Sequence, residues 1–446
     1  MTAARKLAEF AVNLRYEDIP PEVIERAKSC IIDTVGAAAF GAHLPWSQII
    51  IAYAQRNSAP GGASIIGTKL KVRAPFASLA NGSLAHAFEM DSLCQPSVGV
   101  HPGASLTAPC LATAQARGRT GRDLLTAFVA GFEVVYRIGD AARHSSEKMG
   151  FHAPGLTGVF AGAIGAGKLM DLDVERMTNA LGVGGSLCSG LLEFSKSGGG
   201  MVKRLHLGRA AEGGFMAASL AREGYTGPHT VIDGKFGFLN VYARDIDPPR
   251  LLKGMGEEWH TLKSMFKRYA CHITAHTPVS GAIALKATPG FSAADVASVT
   301  ILGNEKMVSH HNILDPQDLA MAQYSTPFCV ALSLFRDPSD PRNFNESALA
   351  DPAIRDLCRR TTMGVLPEGP GVAQFSSRLI LKMKDGRELT QDTNEFEGMP
   401  ARPLTAQSLA AKFQRSTADV KEFVPARVLE RLQNIEQATE LGKLFD

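Results

Sequence analysis

The segment GLTGVFAGAIGAG, residues 155–167, constrains the fold more than any other stretch of this chain. Its small residues Gly158, Gly162 and Ala166 recur every four positions, which stacks them on one face of a helix. Such a face lets a neighbouring helix approach closely, because little side chain stands between the two backbones. The overlapping stretch GAIGAGKL, residues 162–169, also copies the order of a phosphate-binding loop: glycine, four residues, glycine, lysine. That loop requires a Ser or Thr after the lysine for magnesium and a buried strand before it. Leu169 stands in the hydroxyl position, and the residues upstream repeat at helical spacing. The expectation is a closely packed helix and no ATP or GTP site.

The same texture extends from the start of the chain to about residue 265. Leu7, Phe10, Ala11 and Leu14 form one side of an amphipathic first helix. In PPEVIERAKSCIIDTVGAAAFGA, Pro21 suits a first helical turn, and Val23, Ile24, Ala27, Ile31 and Val35 make a buried stripe. PFASLANGSLAHAFEMD, PGASLTAPCLATAQARG and GRDLLTAFVAGFEVVYRIG continue the theme, with no convincing alternation of strands among them. After Phe266 the pattern changes. VASVTILGN alternates β-branched residues, and SSRLILKMKDGRELTQDTN reads as a hairpin with Asp385-Gly386 at the turn and Leu379, Leu381 and Met383 on one face. DLAMAQYSTPFCVALSLF and AIRDLCRRT read as helical, and from PLTAQSLAAKF onward helix returns, with Thr405 placed as an N-cap. The expected fold is mainly α: a helical domain over 1–265, a smaller α+β domain over 266–395, and C-terminal helices over 396–446 rejoining the first.

Length and composition narrow the function. A chain of 446 residues with 45% hydrophobic and 20% charged content is an ordinary globular protein of two or three domains. A net charge of +3 without a Lys/Arg run argues against nucleic-acid binding. Seven scattered cysteines without a C-x-x-C argue for reduced thiols and a cytoplasmic setting, with neither a zinc ribbon nor a disulfide framework. The first residues carry too many charges for a secretory signal, and the least polar run, 153–167, is too short to span a membrane.

Chemistry-bearing residues gather in a few places. Lys203-Arg204 precedes His206, and Lys267-Arg268 precedes His272 and His276. Paired cations beside an imidazole suit a carboxylate-rich substrate with a neutral base at a nearby C–H bond, although solvated surface charges give the same pattern. His272 and His276, four apart, could share a helix face as zinc ligands do, but no third ligand accompanies them. Asp91 stands ten residues before His101, with Pro96, Gly99 and Pro102 forcing a loop between and around them. His152 directly precedes the small-residue helix, whose dipole disfavours its cation and favours a neutral base. Tyr324 is a proton donor or a core hydroxyl.

Taken in order, these segments resemble the MmgE/PrpD family, which includes 2-methylcitrate dehydratase, cis-aconitate decarboxylase and iminodisuccinate epimerase. The resemblance runs through PPEVIERAKSCIIDTVGAAAFGA, NGSLAHAFEMD with HPGAS, GFEVVYRIG, GFHAPGLTGVFAGAIGAGKLMDL, ALGVGGSLCSGLLEF, VKRLHLGRAAEGG, GYTGPHTVIDGKFGF, FKRYACHITAH and PLTAQSLAAKF. It implies a homodimer without cofactor or metal, and a site between a large helical domain and an α+β lid. Carried over by motif position, that site comprises Asp91, His101, His152, Lys203, Lys267, His272 and Tyr324. In this assignment His152 and His272 are base and acid, and Lys203 and Lys267 hold carboxylates, with Arg204 and His206 beside them. Asp91 and His101 orient or relay protons, and Tyr324 donates one. Where the family carries further acids after the aspartate, this chain has Ser92, Leu93, Cys94 and Gln95, and GGGMV before Lys203 lacks a usual threonine. The expected activity is a lyase that dehydrates a 2-hydroxy di- or tricarboxylate, as 2-methylcitrate dehydratase does. Decarboxylation or epimerisation at the same activated carbon is the alternative, and so is a non-catalytic binder that keeps the fold.

Overall fold

The computed structural model describes residues 1–97, 99–197 and 199–446, so the first glycine of GGGMV, Gly198, lies outside the described residues. The chain divides into two compact units. The first comprises 1–87, 91–265 and 406–446, and the second comprises 88–90 and 266–405. The second unit thus extends past the expected boundary at 395 and takes in three residues from the middle of the helical region.

In the first unit the small-residue segment lies within one helix, Ala153–Leu169, buried along nearly its whole length. Its partner is the helix Val202–Arg222. A methyl group built on Gly214 would lie 2.6 Å from the Cα of Gly162, and one on Gly158 would lie 3.1 Å from the Ala210 Cβ. The two backbones therefore meet without side chains between them, as the four-residue spacing predicts. Gly82, on the helix Ala74–Ala85, meets Gly208 and Ala211 in the same manner, with 3.1 Å from its would-be methyl to the Gly208 Cα. Lys168, which mimics a nucleotide-binding lysine, donates instead to the carbonyls of Ala11 (2.8 Å) and Val12 (3.1 Å) at the end of the helix Ala3–Asn13. It satisfies carbonyls that a helix C-terminus leaves unbonded.

The helix Pro21–Ala42 opens on Pro21 and buries Val23, Ile24, Ala27, Ile31 and Val35, the stripe read from the sequence. Two short antiparallel pairs interrupt the helices, Pro60–Ser64 with Lys71–Val72 and Leu93–Cys94 with Ser264–Met265. The sequence gives no sign of them. They have two to five residues, and PGGAS lacks the β-branched alternation that marks a strand.

The second unit holds a four-stranded sheet in the order Thr361–Val365, Val296–Gly303, Ser377–Met383, Glu388–Thr393. The hairpin appears where expected, with Leu379, Leu381 and Met383 buried and Gly386 at φ 90 in the turn. Thr361–Val365 runs parallel to Val296–Gly303 and is the strand the sequence conceals, because it follows the helix Pro352–Arg359 with only Arg360 between. Among the described residues no single helix is long and apolar enough to cross a membrane.

Candidate active site

In the first unit, the helix Ala74–Ala85 ends at His86, and the chain returns at Asp91 to the same place. Asp91 is fully buried. Its carboxylate oxygens each lie 3.0 Å from His86 Nδ1, and Oδ2 lies 2.9 Å from His101 Nδ1. Burial pushes the Asp91 carboxyl up, but the two imidazoles outweigh it and hold the carboxyl well below the usual range. Asp91 is therefore an anion, and an ionised carboxylate only accepts hydrogen bonds. Both Nδ1 atoms carry protons and donate to it. His86, pushed to about 3 by burial against the opposing pull of Asp91, is neutral, so its Nε2 is a bare lone pair. That atom has no hydrogen-bond partner among the described residues. The ligand-type atoms of His86, Asp91 and His101 lie within 4.8 Å of one another. They already face each other in hydrogen bonds, so a metal ion here would have to displace both.

The loop expected between Asp91 and His101 is present and latched. Gly99 adopts φ 71, and its carbonyl accepts from Thr157 Oγ1 at 2.8 Å, on the small-residue helix. Ser97 donates to the Tyr136 carbonyl at 2.6 Å, and Ser105 donates to that of His101 at 2.7 Å. His152 is the N-cap of Ala153–Leu169, and its N–H donates to Gly190 O at 3.0 Å. Its ring centroid lies 6.1 Å from that of His86 and 5.3 Å from Phe194, which meets it edge-on. Burial, then the neighbouring His86, His206 and His101, hold His152 well below its ordinary value, so it is neutral. Lys203 and His206 stand three apart on one face of Val202–Arg222, and Lys203 is buried. His206 Nδ1 lies 3.0 Å from His152 Nδ1. Burial and then Lys203 lower the His206 pKa.

Of the expected residues, Asp91, His101, His152, Lys203 and His206 thus gather in the first unit. Arg204 does not join them as a substrate ligand. Its Nε donates to Ala87 O at 3.1 Å, another of its nitrogens bonds Gly200 O, and its guanidinium lies 4.9 Å from the Trp46 ring centroid. The alternation of the helix turns it away from the face that Lys203 and His206 share. His86 is the participant the sequence reading missed. Its signal was present, an imidazole five residues before Asp91 in NGSLAHAFEMD, but only the chain reversal between them makes the pair visible.

In the second unit, His272 caps a short turn, and its Nδ1 accepts from Thr274 N at 3.4 Å and lies 2.9 Å from Thr274 Oγ1. A neutral His272 then carries its proton on Nε2, the opposite tautomer to that of His86. His272 stacks on His311 at 4.0 Å between centroids, and Tyr324 lies 5.1 Å from His272. His311 was also unforeseen. Lys267 is not an open cation: its Nζ lies 2.6 Å from the carboxylate of Glu89, and both side chains are buried. Glu89 itself sits at φ 55. His276 accepts at Nε2 from the N–H groups of Arg268 (3.1 Å) and Tyr269 (3.3 Å), while its Nδ1 lies 3.3 Å from His272 O. Both of its nitrogens serve the backbone, so it does not pair with His272 as a zinc ligand.

The positions where further acids were expected are packed as core. Leu93 and Cys94 are buried in the pairing with Ser264–Met265, and the Cys94 thiol donates to Lys263 O at 3.2 Å. Burial raises that thiol well above its usual value.

The sequence profile of the MmgE/PrpD N-terminal domain matches residues 5–250, and that of the MmgE/PrpD C-terminal domain matches 269–438. The chain belongs to the MmgE/PrpD family. Among its relatives, a cis-aconitate decarboxylase from Aspergillus terreus is 27% identical over 99% of this chain and 94% of that one. A cis-aconitate decarboxylase-like protein from Aspergillus oryzae is 26% identical over 97% of this chain and 93% of its own. The Homo sapiens cis-aconitate decarboxylase is 24% identical over 97% of this chain and 92% of its own. Two of these MmgE/PrpD relatives are named as decarboxylases and the third as decarboxylase-like, which favours the alternative reading of the sequence over the dehydratase.

Proposed function

We propose that this MmgE/PrpD protein is a lyase that decarboxylates an unsaturated polycarboxylate of the cis-aconitate type. The observation that carries the reading is the buried Asp91 carboxylate holding His101 by its Nδ1, so that the outer nitrogen faces away from the anion. Full-length relatives named for that reaction support it. In such a reaction the bond to a carboxylate on an allylic carbon breaks and CO2 leaves. The electron pair moves into the alkene conjugated with a second carboxylate, and one proton is added to carbon. His101 can carry that proton on Nε2, because the imidazolium is stabilised by Asp91 behind it. Lys203 supplies positive charge for a remaining carboxylate and for the electron density that develops on it. His152, held neutral by burial and the neighbouring imidazoles, serves as acceptor or base. His272 is assigned as a donor through its Nε2–H and Tyr324 as a second one, and Lys267 is assigned to the substrate only through its pair with Glu89.

Dehydration of a 2-hydroxy di- or tricarboxylate is the second reading, because a neutral imidazole backed by an anion is also what abstraction of a proton α to a carboxylate requires. One assay separates the readings. Purified protein is incubated in heavy water with cis-aconitate, 2-hydroxy tricarboxylates and epimerisable dicarboxylates, and products are followed by proton NMR and CO2 release. The expected result is CO2 with one deuterium on carbon from the unsaturated acid. A new alkene from a hydroxy acid without CO2 would replace decarboxylation by dehydration. Deuterium wash-in alone would indicate epimerisation, and binding without turnover across the panel would leave a non-catalytic binder.

A further inference from the structure

We propose that His86 is a positioning residue: by donating from Nδ1 to both oxygens of Asp91, it keeps the proton shared by Asp91 and His101 on the His101 ring. The Asp91 carboxylate has two side-chain partners among the described residues, and both are imidazoles. His86 Nδ1 lies 3.0 Å from each oxygen and so spans the carboxylate, while His101 Nδ1 lies 2.9 Å from Oδ2.

The direction of the His86 bond follows from its other nitrogen. His86 Nε2 is buried and has no hydrogen-bond partner among the described residues. As an acceptor at Nδ1, or as a cation, His86 would carry a proton on Nε2 and bury an N–H without an acceptor, which is the rarer and costlier defect. The equal distances agree. A neutral carboxylic acid donates from one oxygen only, and its other oxygen would then face the imidazole lone pair at 3.0 Å. His86 is therefore a fixed, uncharged donor to both oxygens. Were the His101 proton to move to Oδ2, that oxygen would lose part of the bond it accepts from His86. Hydrogen bonds to the ionised form of a carboxyl favour that form, so the proton stays on His101 Nδ1.

His101 is also the more open ring, with 15% of its side chain exposed against 1% for His86, so a further proton enters at His101 Nε2. The groups around the pair leave this unchanged. Burial, and then the positive charge of Lys203 and the His101 ring, keep a proton off His86 against the pull of Asp91. His152, whose ring centroid lies 6.1 Å from that of His86, is neutral, and His206 meets His152. Asp33, a second buried carboxylate whose charge acts on Asp91, is paired with Lys412.

The consequence is a division of labour on one anion. His86 donates permanently and draws off part of the Asp91 charge, which loosens the hold on a proton that His101 must release to carbon. The inference rests on the proposed function only in giving His101 that proton to deliver. Its place within the Asp91–His101 pair is independent of the reaction.

The test is NMR of the full-length, ligand-free protein labelled with nitrogen-15 at histidine, in mildly alkaline buffer, with His86→Asn and His101→Gln identifying the two rings. In the wild type both rings are expected to carry a proton on Nδ1 and none on Nε2. His86→Leu, which removes the donor, should move part of the His101 proton from Nδ1 to Nε2. His86→Asn, whose amide donates to the same carboxylate, should keep the wild-type pattern at His101. On the substrate identified above, His86→Leu is expected to lower kcat about ten- to a hundredfold with KM changed less than about threefold, and to move the basic limb of the pH profile upward. His86→Asn should restore part of kcat and return that limb toward its wild-type position. A proton on His86 Nε2 in the wild-type spectrum would overturn the proposal whether or not the variants fold. So would an unchanged His101 pattern in His86→Leu, or in His86→Phe should the leucine variant not fold. A wild-type protein inactive on every acid would remove the proposed reaction, while the spectra would still decide where the proton lies.

Discussion

Asp91 lies fully buried between two imidazoles, and this makes the fold sensitive to acid. His86 titrates near ~6.5 in an unfolded chain and is pushed to about 3 in the folded one. Between those values the unfolded chain binds a proton that the folded chain does not. Stability therefore rises with pH across the window and is lost as pH falls through it. His152, held low by burial and neighbouring imidazoles, acts in the same direction. Asp91 adds to the loss only further down, because its folded pKa lies below its ordinary value. The expected outcome is a urea midpoint that falls from pH 7 to pH 5, with a shallower slope in His86→Asn. A wild-type slope no steeper than that of the variant would refute the assignment of a neutral His86.

At the scale of elements, the glycines of Ala153–Leu169 and Val202–Arg222 determine how closely the histidine-bearing helices can approach. His152 caps the first helix and His206 lies on the second, so their 3.0 Å contact depends on that approach. Gly214→Val would force side-chain atoms into the Gly162 backbone, which a methyl group would already reach at 2.6 Å. A loss of about 1–3 kcal/mol is expected from such overpacking, read as a lower melting temperature. Gly369→Ala, with nothing within 4 Å of its added methyl, is the control and should leave the melting temperature unchanged. Equal melting temperatures in the two variants would show that the close approach is not required. Leu93–Cys94 is an element of the opposite kind, where the short pairing with Ser264–Met265 buries side chains at positions that the family resemblance would fill with acids.

For the whole molecule, the candidate residues fall in two separate units. His86, Asp91, His101, His152, Lys203 and His206 belong to the first, and Lys267, His272, His311 and Tyr324 belong to the second. His152→Ala and Lys203→Ala are each expected to lower turnover about a hundredfold or more, as loss of a proton-transfer or charge-stabilising group does. His272→Ala should do the same if the second unit takes part. Near-normal turnover in any one of the three removes that residue from the mechanism, and in His272→Ala it confines the chemistry to the first unit.

The sequence by itself determined what repeats along the chain. The stripe of Val23, Ile24, Ala27, Ile31 and Val35, the close-packing face of Gly158 and Gly162, and the hairpin about Asp385-Gly386 are periodic local signals. Periodicity survives without knowledge of the partner. The motif order was also legible, and it names the family and most of the candidate site residues. Tertiary structure decided whatever depends on two segments meeting. His86 turns back onto Asp91, Glu89 neutralises Lys267, Arg204 is spent on backbone carbonyls, and His206 faces His152 through Nδ1. A protonation state belongs to a pair of atoms in space, and spacing along the chain cannot say which nitrogen of a histidine will find a partner.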